Sequence, residues 1–439
     1  GTVDVAANSR VIGGGNTTTL TINATGDITF NLGADGTETL TNTGTGAITV
    51  TSTNGAINLF DNSVSAADGV LTLTASNAIA VTTAAANQQI DSDGNVTLSA
   101  NGITANAGSL DINSDDAGAD RTLSITSTGS TAMAVNVVAD LYSAITIVQQ
   151  DADTNINVEL INADTIDING SADTATLQSI VTSGADIAFD YDLTEADKNV
   201  VVVSVNTDDA AATIESSNDV TINTGGLTAE GAIVIEADND VKLGSGAGTA
   251  ISTGTSTALV KITADKDSSG AGLISDLGGL IAMSGGDLVL RAGDGIGTNG
   301  AKIETTGLTD VAAISTTGGI FLENGTSGSV VIKTLDSVVG FKTTTSGNIA
   351  LTNTGGARDI TVSSAIDANR NAGTVTLSSG QLLDIDAAIS AAGAIDLDAA
   401  TSADIDATIT GGANVDIDAG NGTVDVAANS RVIGGGNTT

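Results

Sequence analysis

Residues 384–418 read DIDAAISAAGAIDLDAATSADIDATITGGANVDID. Aliphatic and polar residues alternate in short bursts, as in Asp384-Ile385-Asp386 and Ile395-Asp396-Leu397-Asp398. Period two marks strands with one buried face. The bursts recur in register. Ile385 and Ile405, Ile389 and Ile409, Ile395 and Val415, and Leu397 and Ile417 each stand 20 positions apart. Like residues at a fixed interval of about 20, on strands too short to bury a face alone, predict coils stacked on coils.

One motif recurs along the chain: Gly, any residue, aliphatic, polar, aliphatic. Examples are Gly26-Asp-Ile-Thr-Phe30, Gly46-Ala-Ile-Thr-Val50, Gly94-Asn-Val-Thr-Leu98, Gly231-Ala-Ile-Val-Ile235, Gly286-Asp-Leu-Val-Leu290, Gly347-Asn-Ile-Ala-Leu351, Gly373-Thr-Val-Thr-Leu377 and Gly393-Ala-Ile-Asp-Leu397. Asn218 and Asn239 open two variants. The leading Gly or Asn is expected to supply a positive φ at a corner. The same step is expected near the start: Leu20 on Leu40, Thr19 on Thr39, Thr21 on Thr41, Gly26 on Gly46, Ile28 on Ile48, Phe30 on Val50. Helical periodicity is nearly absent. The fold class expected is all-β, a parallel β-helix (β-solenoid) of about 20 residues per coil with two or three short strands in each.

A second repeat lies at the ends. Residues 1–18 and 422–439 both read GTVDVAANSRVIGGGNTT, an offset of 421. Residues 1–421 are therefore expected to be one solenoid unit, and 422–439 the start of the next tandem unit. Such a unit would hold about 21 coils and, at roughly 4.8 Å per coil, span on the order of 100 Å. Residues 131–215, with Met133, Tyr142, Phe189, Tyr191 and the segment Leu193–Asn199, are less regular and are expected to form wider coils or a protrusion.

Composition agrees with stacking. There is no proline to interrupt a backbone ladder, and aromatics are only 2%, so Val, Ile, Leu and Ala must fill the interior. Hydrophobic content of 41% argues against disorder despite a net charge of −39. That charge also argues against nucleic acid as a partner. The chain lacks cysteine and histidine, which removes disulfides, thiolate metal sites and nucleophile–histidine catalysis. No long apolar run marks a membrane span. Any targeting segment is expected to lie outside residues 1–439.

The glycine-led strands, the register of about 20 and the phrase Gly293-Asp-Gly-Ile-Gly-Thr298 resemble the haemagglutinin-repeat shafts of filamentous haemagglutinin-type adhesins. The resemblance covers essentially the whole chain. It implies a right-handed β-helix, secretion across a Gram-negative outer membrane, and roles in adhesion, biofilm or cell contact. The Asn-Pro motifs usual in that family's secretion domain are missing, since the chain has no proline.

The sharpest chemical feature is the row Asp384, Asp386, Asp396, Asp398, Asp404, Asp406, Asp416 and Asp418. With a constant step between coils, Asp384 stacks on Asp404, Asp386 on Asp406, Asp396 on Asp416 and Asp398 on Asp418. Unit charges about 5 Å apart repel by roughly 1 kcal/mol in water. Two readings follow: Ca²⁺ bridging carboxylates between coils or between fibres, or a solvated acidic face. Asp91–Asn95 and Asp151–Asn155 open like calcium loops but lack the glycine and closing glutamate such loops need. Paired carboxylates also serve polysaccharide cleavage, but these lie in a regular ladder without the aromatic platforms of a sugar cleft. Nine of the thirteen basic residues fall between Lys242 and Arg370, a charge alternation that could stagger parallel fibres.

The function expected is a non-catalytic shaft of a long secreted bacterial surface fibre, joined end to end with further copies of its unit and open to lateral association. No cofactor is required beyond the calcium considered above. An adhesin stalk, attaching through a tip or through 131–215, is the alternative.

Overall fold

A computed structural model describes the chain except residues 7–8, 10, 15–18, 32–39, 61–63, 67–68, 82–89, 106–109, 114–121, 130–132, 136, 140–143, 150–155, 159–165, 171–173, 178–179, 184–186, 190–198, 209, 326–327, 354–357, 369 and 436–439. The described residues form short parallel strands stacked as a β-solenoid, with no helix. The chain divides into two compact units, Gly1–Thr213 and Ile214–Thr439.

In the first unit, three ladders run side by side. One carries Val3 to Ile28 to Ile57 to Ile79. A second carries Leu20 to Ile48 to Leu71 to Val96 to Leu123. The third carries Val11 to Leu40 to Val64 to Ile90. In the second unit the strands Val375–Ser379, Leu382–Ile385 and Ile389–Ala391 form one coil; Ile395–Ala399, Ser402–Ile405 and Thr408–Gly411 form the next. Each of these coils thus has three strands. Their inward aliphatics stack in closed columns, such as Ile349–Val375–Ile395 and Leu351–Leu377–Leu397, all buried. A column works because each β-branched or leucyl side chain covers its neighbour one coil away, so no residue needs a partner across an antiparallel turn.

The constant step holds toward the C-terminus. There Ile385 pairs Ile405, Ile389 pairs Ile409, Ile395 pairs Val415 and Leu397 pairs Ile417, as expected. Elsewhere the step varies. It is slightly shorter where Ile303 pairs Leu322, and more than half as long again where Val241 pairs Ile274. The expected N-terminal register is corrected accordingly. Leu20 pairs Ile48, not Leu40; Leu40 lies in a different ladder, between Val11 and Val64. Thr21 pairs Thr49, not Thr41; Ile28 pairs Val3 and Ile57, not Ile48; Phe30 pairs Leu59, not Val50. Thr39, the expected partner of Thr19, lies outside the described residues. Strands stay short in these coils while the corners vary, so equal spacing in sequence places like residues on different faces. Because most of these steps are longer than expected, the described residues form fewer coils than a constant step would give.

The leading glycines act mostly through close approach. Gly373 and Gly393 do not have positive φ. A Cβ there would sit 2.6 Å from the Ala368 and Ala372 carbonyl oxygens respectively. Corners are also closed by a small polar residue after the second aliphatic. Ser52 Oγ donates to the Gly26 carbonyl at 2.9 Å, and Ser379 Oγ to the Leu382 carbonyl at 2.7 Å. In one place these residues form a buried column. Thr305 Oγ1 donates to Asn324 Oδ1 (3.2 Å), Asn324 Nδ2 to Asn353 Oδ1 (3.0 Å), and Asn353 Nδ2 to the Asp359 carbonyl (2.8 Å). Satisfied polar atoms in an apolar interior fix register, since a slip would strand each of them.

A short excursion leaves the solenoid. Thr334–Leu335 and Val338–Val339 form an antiparallel hairpin over a small cluster of Val289, Ala312 and Val338. Asp336 (φ 42°) and Ser337 (φ 65°) make its two-residue turn, the left-handed pair such a hairpin needs. In the 131–215 stretch, the tyrosines and residues 193–198 lie outside the described residues. The described strands there stack in parallel, for example Met133 on Ile156 and Ile145 on Ile166.

The asparagine column yields a stability prediction. Asn353→Ala removes the Oδ1 that accepts from Asn324 Nδ2 and one of the two donors to the Asp359 carbonyl, which keeps the Val330 amide at 3.0 Å. A loss of about 1–3 kcal/mol is expected, read from urea unfolding at unchanged slope. A loss below a few tenths would show that the column contributes nothing.

Candidate functional site

Two charged patches stand out, both within Ile214–Thr439. The first is the aspartate row. Asp384 pairs Asp404, Asp396 pairs Asp416, and Asp398 pairs Asp418, each in direct parallel register. Asp386 and Asp406 follow their strands one residue on; their amides donate to the Val362 and Ile385 carbonyls at 3.1 and 2.9 Å. The aliphatics between them point inward and the carboxylates outward, because alternate residues of a strand face opposite ways. The row is longer than the spacing suggested. Asp404 pairs Asp425 as well, so Asp384, Asp404 and Asp425 form three consecutive rungs. Asp425 escaped notice because its step is 21, not 20.

No lysine or arginine forms an ion pair with the eight aspartates among the described residues. Burial, then Asp386, Asp404 and Asp406, raises the Asp384 carboxyl above its ordinary range. Burial, then Asp398 and Asp416, does the same to Asp396. Among the described residues no three acidic side chains converge to hold one metal ion. The carboxylates form an extended row in place of a closed cage.

The second patch is a seam of opposite charges across consecutive coils. Lys266 Nζ lies 2.5 Å from Glu215 and 3.1 Å from Glu236; Lys261 Nζ lies 3.2 Å from Glu236 and 3.5 Å from Asp336. Arg291 donates to the Asp336 carbonyl, which ties the hairpin turn to the coils. Burial works against ionisation of both Glu236 and Lys266. Hydrogen bonds between them and their neighbours outweigh it, lowering Glu236 and raising Lys266. Glu236, Lys261, Lys266, Arg291 and Thr316 line an open groove of about 320 Å³. Sequence reading noted the basic band but not its partners, because Glu215 and Lys266, two coils apart, share no spacing signal.

Other sequence candidates are ordinary coil elements. Asp91 lies in a parallel strand, paired to Ser65 and Asn113. Residues 151–155 lie outside the described residues. No helix among the described residues is long and apolar enough to cross a membrane. Comparison with protein-family models, with curated proteins and with solved structures gives no match. The class that the fold defines is the parallel β-solenoid.

The two patches should respond oppositely to pH. A carboxyl raised in the folded state keeps its proton to higher pH than in the unfolded chain. Its contribution therefore rises as pH falls through that window and is lost as pH rises. Glu236, lowered, contributes above its unfolded range and loses that contribution on acidification. The double change Asp384→Asn with Asp396→Asn should therefore raise the melting temperature at neutral pH in low salt. The gain should shrink in roughly 1 M salt and vanish once acid protonates the carboxyls. An unchanged neutral melting temperature would show that the row carries no repulsion.

Proposed function

We propose that the chain is a non-catalytic structural shaft, built of tandem 421-residue units, from a long bacterial surface fibre outside the cell. One observation carries the reading: a parallel solenoid whose opening sequence recurs without change 421 residues later. In a stacked fold each coil buries its faces only against the next, so an exposed end is an unpaired edge. Tandem continuation covers it. A unit used for length needs a repeated interior and no reaction centre, and the aspartate row suits that use as a soluble, mutually repelling surface. Cation bridging of that row, with Ca²⁺ as the ion considered, belongs to the same proposal as a route to lateral association.

The adhesin-stalk alternative shares this shaft and places attachment at a tip or in 131–215. The test is imaging of chains of one, two and three units by negative-stain electron microscopy. Rods of constant width that lengthen in equal steps, each shorter than about 100 Å, are the expected result. Globular particles that grow in diameter would overturn the shaft.

A further inference from the structure

Residues 1–14 and 422–435 are identical in sequence and share two strands, yet the two copies use opposite edges of those strands. The first copy stacks only onto the coil that follows it. Val3 pairs Ile28, Asp4 pairs Thr29, Val5 pairs Phe30, Val11 pairs Leu40 and Gly13 pairs Asn42. The second copy stacks only onto the coil before it. Val424 pairs Ala403, Asp425 pairs Asp404, Val426 pairs Ile405, Val432 pairs Ile409 and Gly434 pairs Gly411.

Side-chain exposure differs between the copies. Val5, covered by Phe30, is 7% exposed; its counterpart Val426 is 43% exposed, and Val432 is 41% exposed. The same strand is apolar toward both neighbours, and residues 1–439 contain one neighbour for each copy. Polar contacts divide the same way. Asn31 Nδ2 donates to Asp4 Oδ1 at 2.5 Å on the forward side, while Asp425 faces Asp404 on the backward side.

From this division we infer that residues 1–14, equivalent to 422–435, are a splice coil shared by consecutive units. Its backward edge is built for the coil ending at Gly411, and its forward edge for the coil opening at Gly26 of a second copy of this chain. Superposing the two half-environments completes three columns: Ile405, Val426, Phe30; Ile409, Val432, Leu40; and Asp404, Asp425, Thr29. The steps across the junction are those of Ile405 to Val426 and Val5 to Phe30 on one face, and of Ile409 to Val432 and Val11 to Leu40 on another. All fall between the short Ile303-to-Leu322 step and the long Val241-to-Ile274 step seen inside the chain. The occupant of the exposed edge at Val424–Val426 is thus the second copy's own Ile28–Phe30 strand. The contact is heterologous and does not close, so it propagates without limit. The inference rests on the tandem-shaft reading and adds to it the residues at which one unit becomes the next.

The test uses residues 1–421 followed directly by residues 1–439. Cysteines replace Asp425, which is residue 4 of the second copy, and Thr29 of that copy on the forward side, and a second pair replaces Thr410 and Ile433, residue 12 of the second copy, on the backward side. The chain has no native cysteine, and partners on adjacent parallel strands lie within the roughly 4.4–6.8 Å Cα separation a disulfide spans. Both intramolecular disulfides in the same molecule on mild oxidation are the expected result. Closure of either pair alone, with the two never found in one molecule, overturns the splice. The unmutated two-unit chain gives an independent readout by hydrogen exchange. The amides of Val424–Val426 should exchange at least tenfold more slowly than in the 439-residue chain; equal exchange overturns the inference. Rod length separates this from the shaft reading. Doubled length without both cross-links removes the splice and leaves the shaft, whereas both cross-links without added length support the splice and remove the shaft.

Discussion

Parallel hydrogen bonding between one coil and the next is the constraint from which the rest of this structure follows. A strand of a few residues cannot hold itself, and among the described residues none of the strands has an antiparallel partner except in the hairpin at Thr334–Val339. Stability must come from neighbours along the stack. That demand explains the missing proline, the near absence of aromatics and the small residues at corners. A ring would have no column to join in most coils, and a pyrrolidine would delete a ladder bond. Phe30 and Phe341 are exceptions, each buried where Leu59 or Ile366 follows one coil away.

The same constraint governs the charges. Stacking in register places like on like, which suits aliphatics and asparagines but not carboxylates. Where a lysine reaches diagonally to a glutamate on a neighbouring coil, as Lys261 and Lys266 reach Glu236, the contact is attractive, and the seam holds the hairpin turn through Asp336. Where aspartate meets aspartate, at 384, 404 and 425, the columns beneath must offset the repulsion. Salt and pH therefore act on the two patches in opposite directions. The row has the character of a surface, with charges strung along the axis.

The β-solenoid was legible because period two and a repeated interval survive in any single sequence. The register of Ile385, Ile395, Ile405 and Val415 was legible because those coils have minimal corners, leaving no slack between strands. The N-terminal register was not. Leu20 and Leu40 share a spacing but occupy different faces, because insertions at the corners change the step without changing the strands. The aspartate row was readable as a row, except for Asp425, whose coil is slightly longer. The ion-pair seam and the polar corner column were invisible. Their members are brought together by stacking across unequal coils, and a fixed interval cannot find them. The hairpin had a local signal in Asp336-Ser337, but serine in a left-handed turn is a weak one.

Register is the claim on which everything above stands, and pairwise disulfide trapping in this cysteine-free chain measures it directly. Thr49→Cys with Thr72→Cys, and Thr376→Cys with Asp396→Cys, join partners on adjacent coils and should each form a disulfide in the folded protein. Thr29→Cys with Thr49→Cys has the same sequence separation as the Thr376–Asp396 pair but joins different ladders, and should not close. Closure of the Thr29–Thr49 pair in place of Thr49–Thr72 would contradict the stacking described, and with it the columns, the charge rows and the shaft built on them.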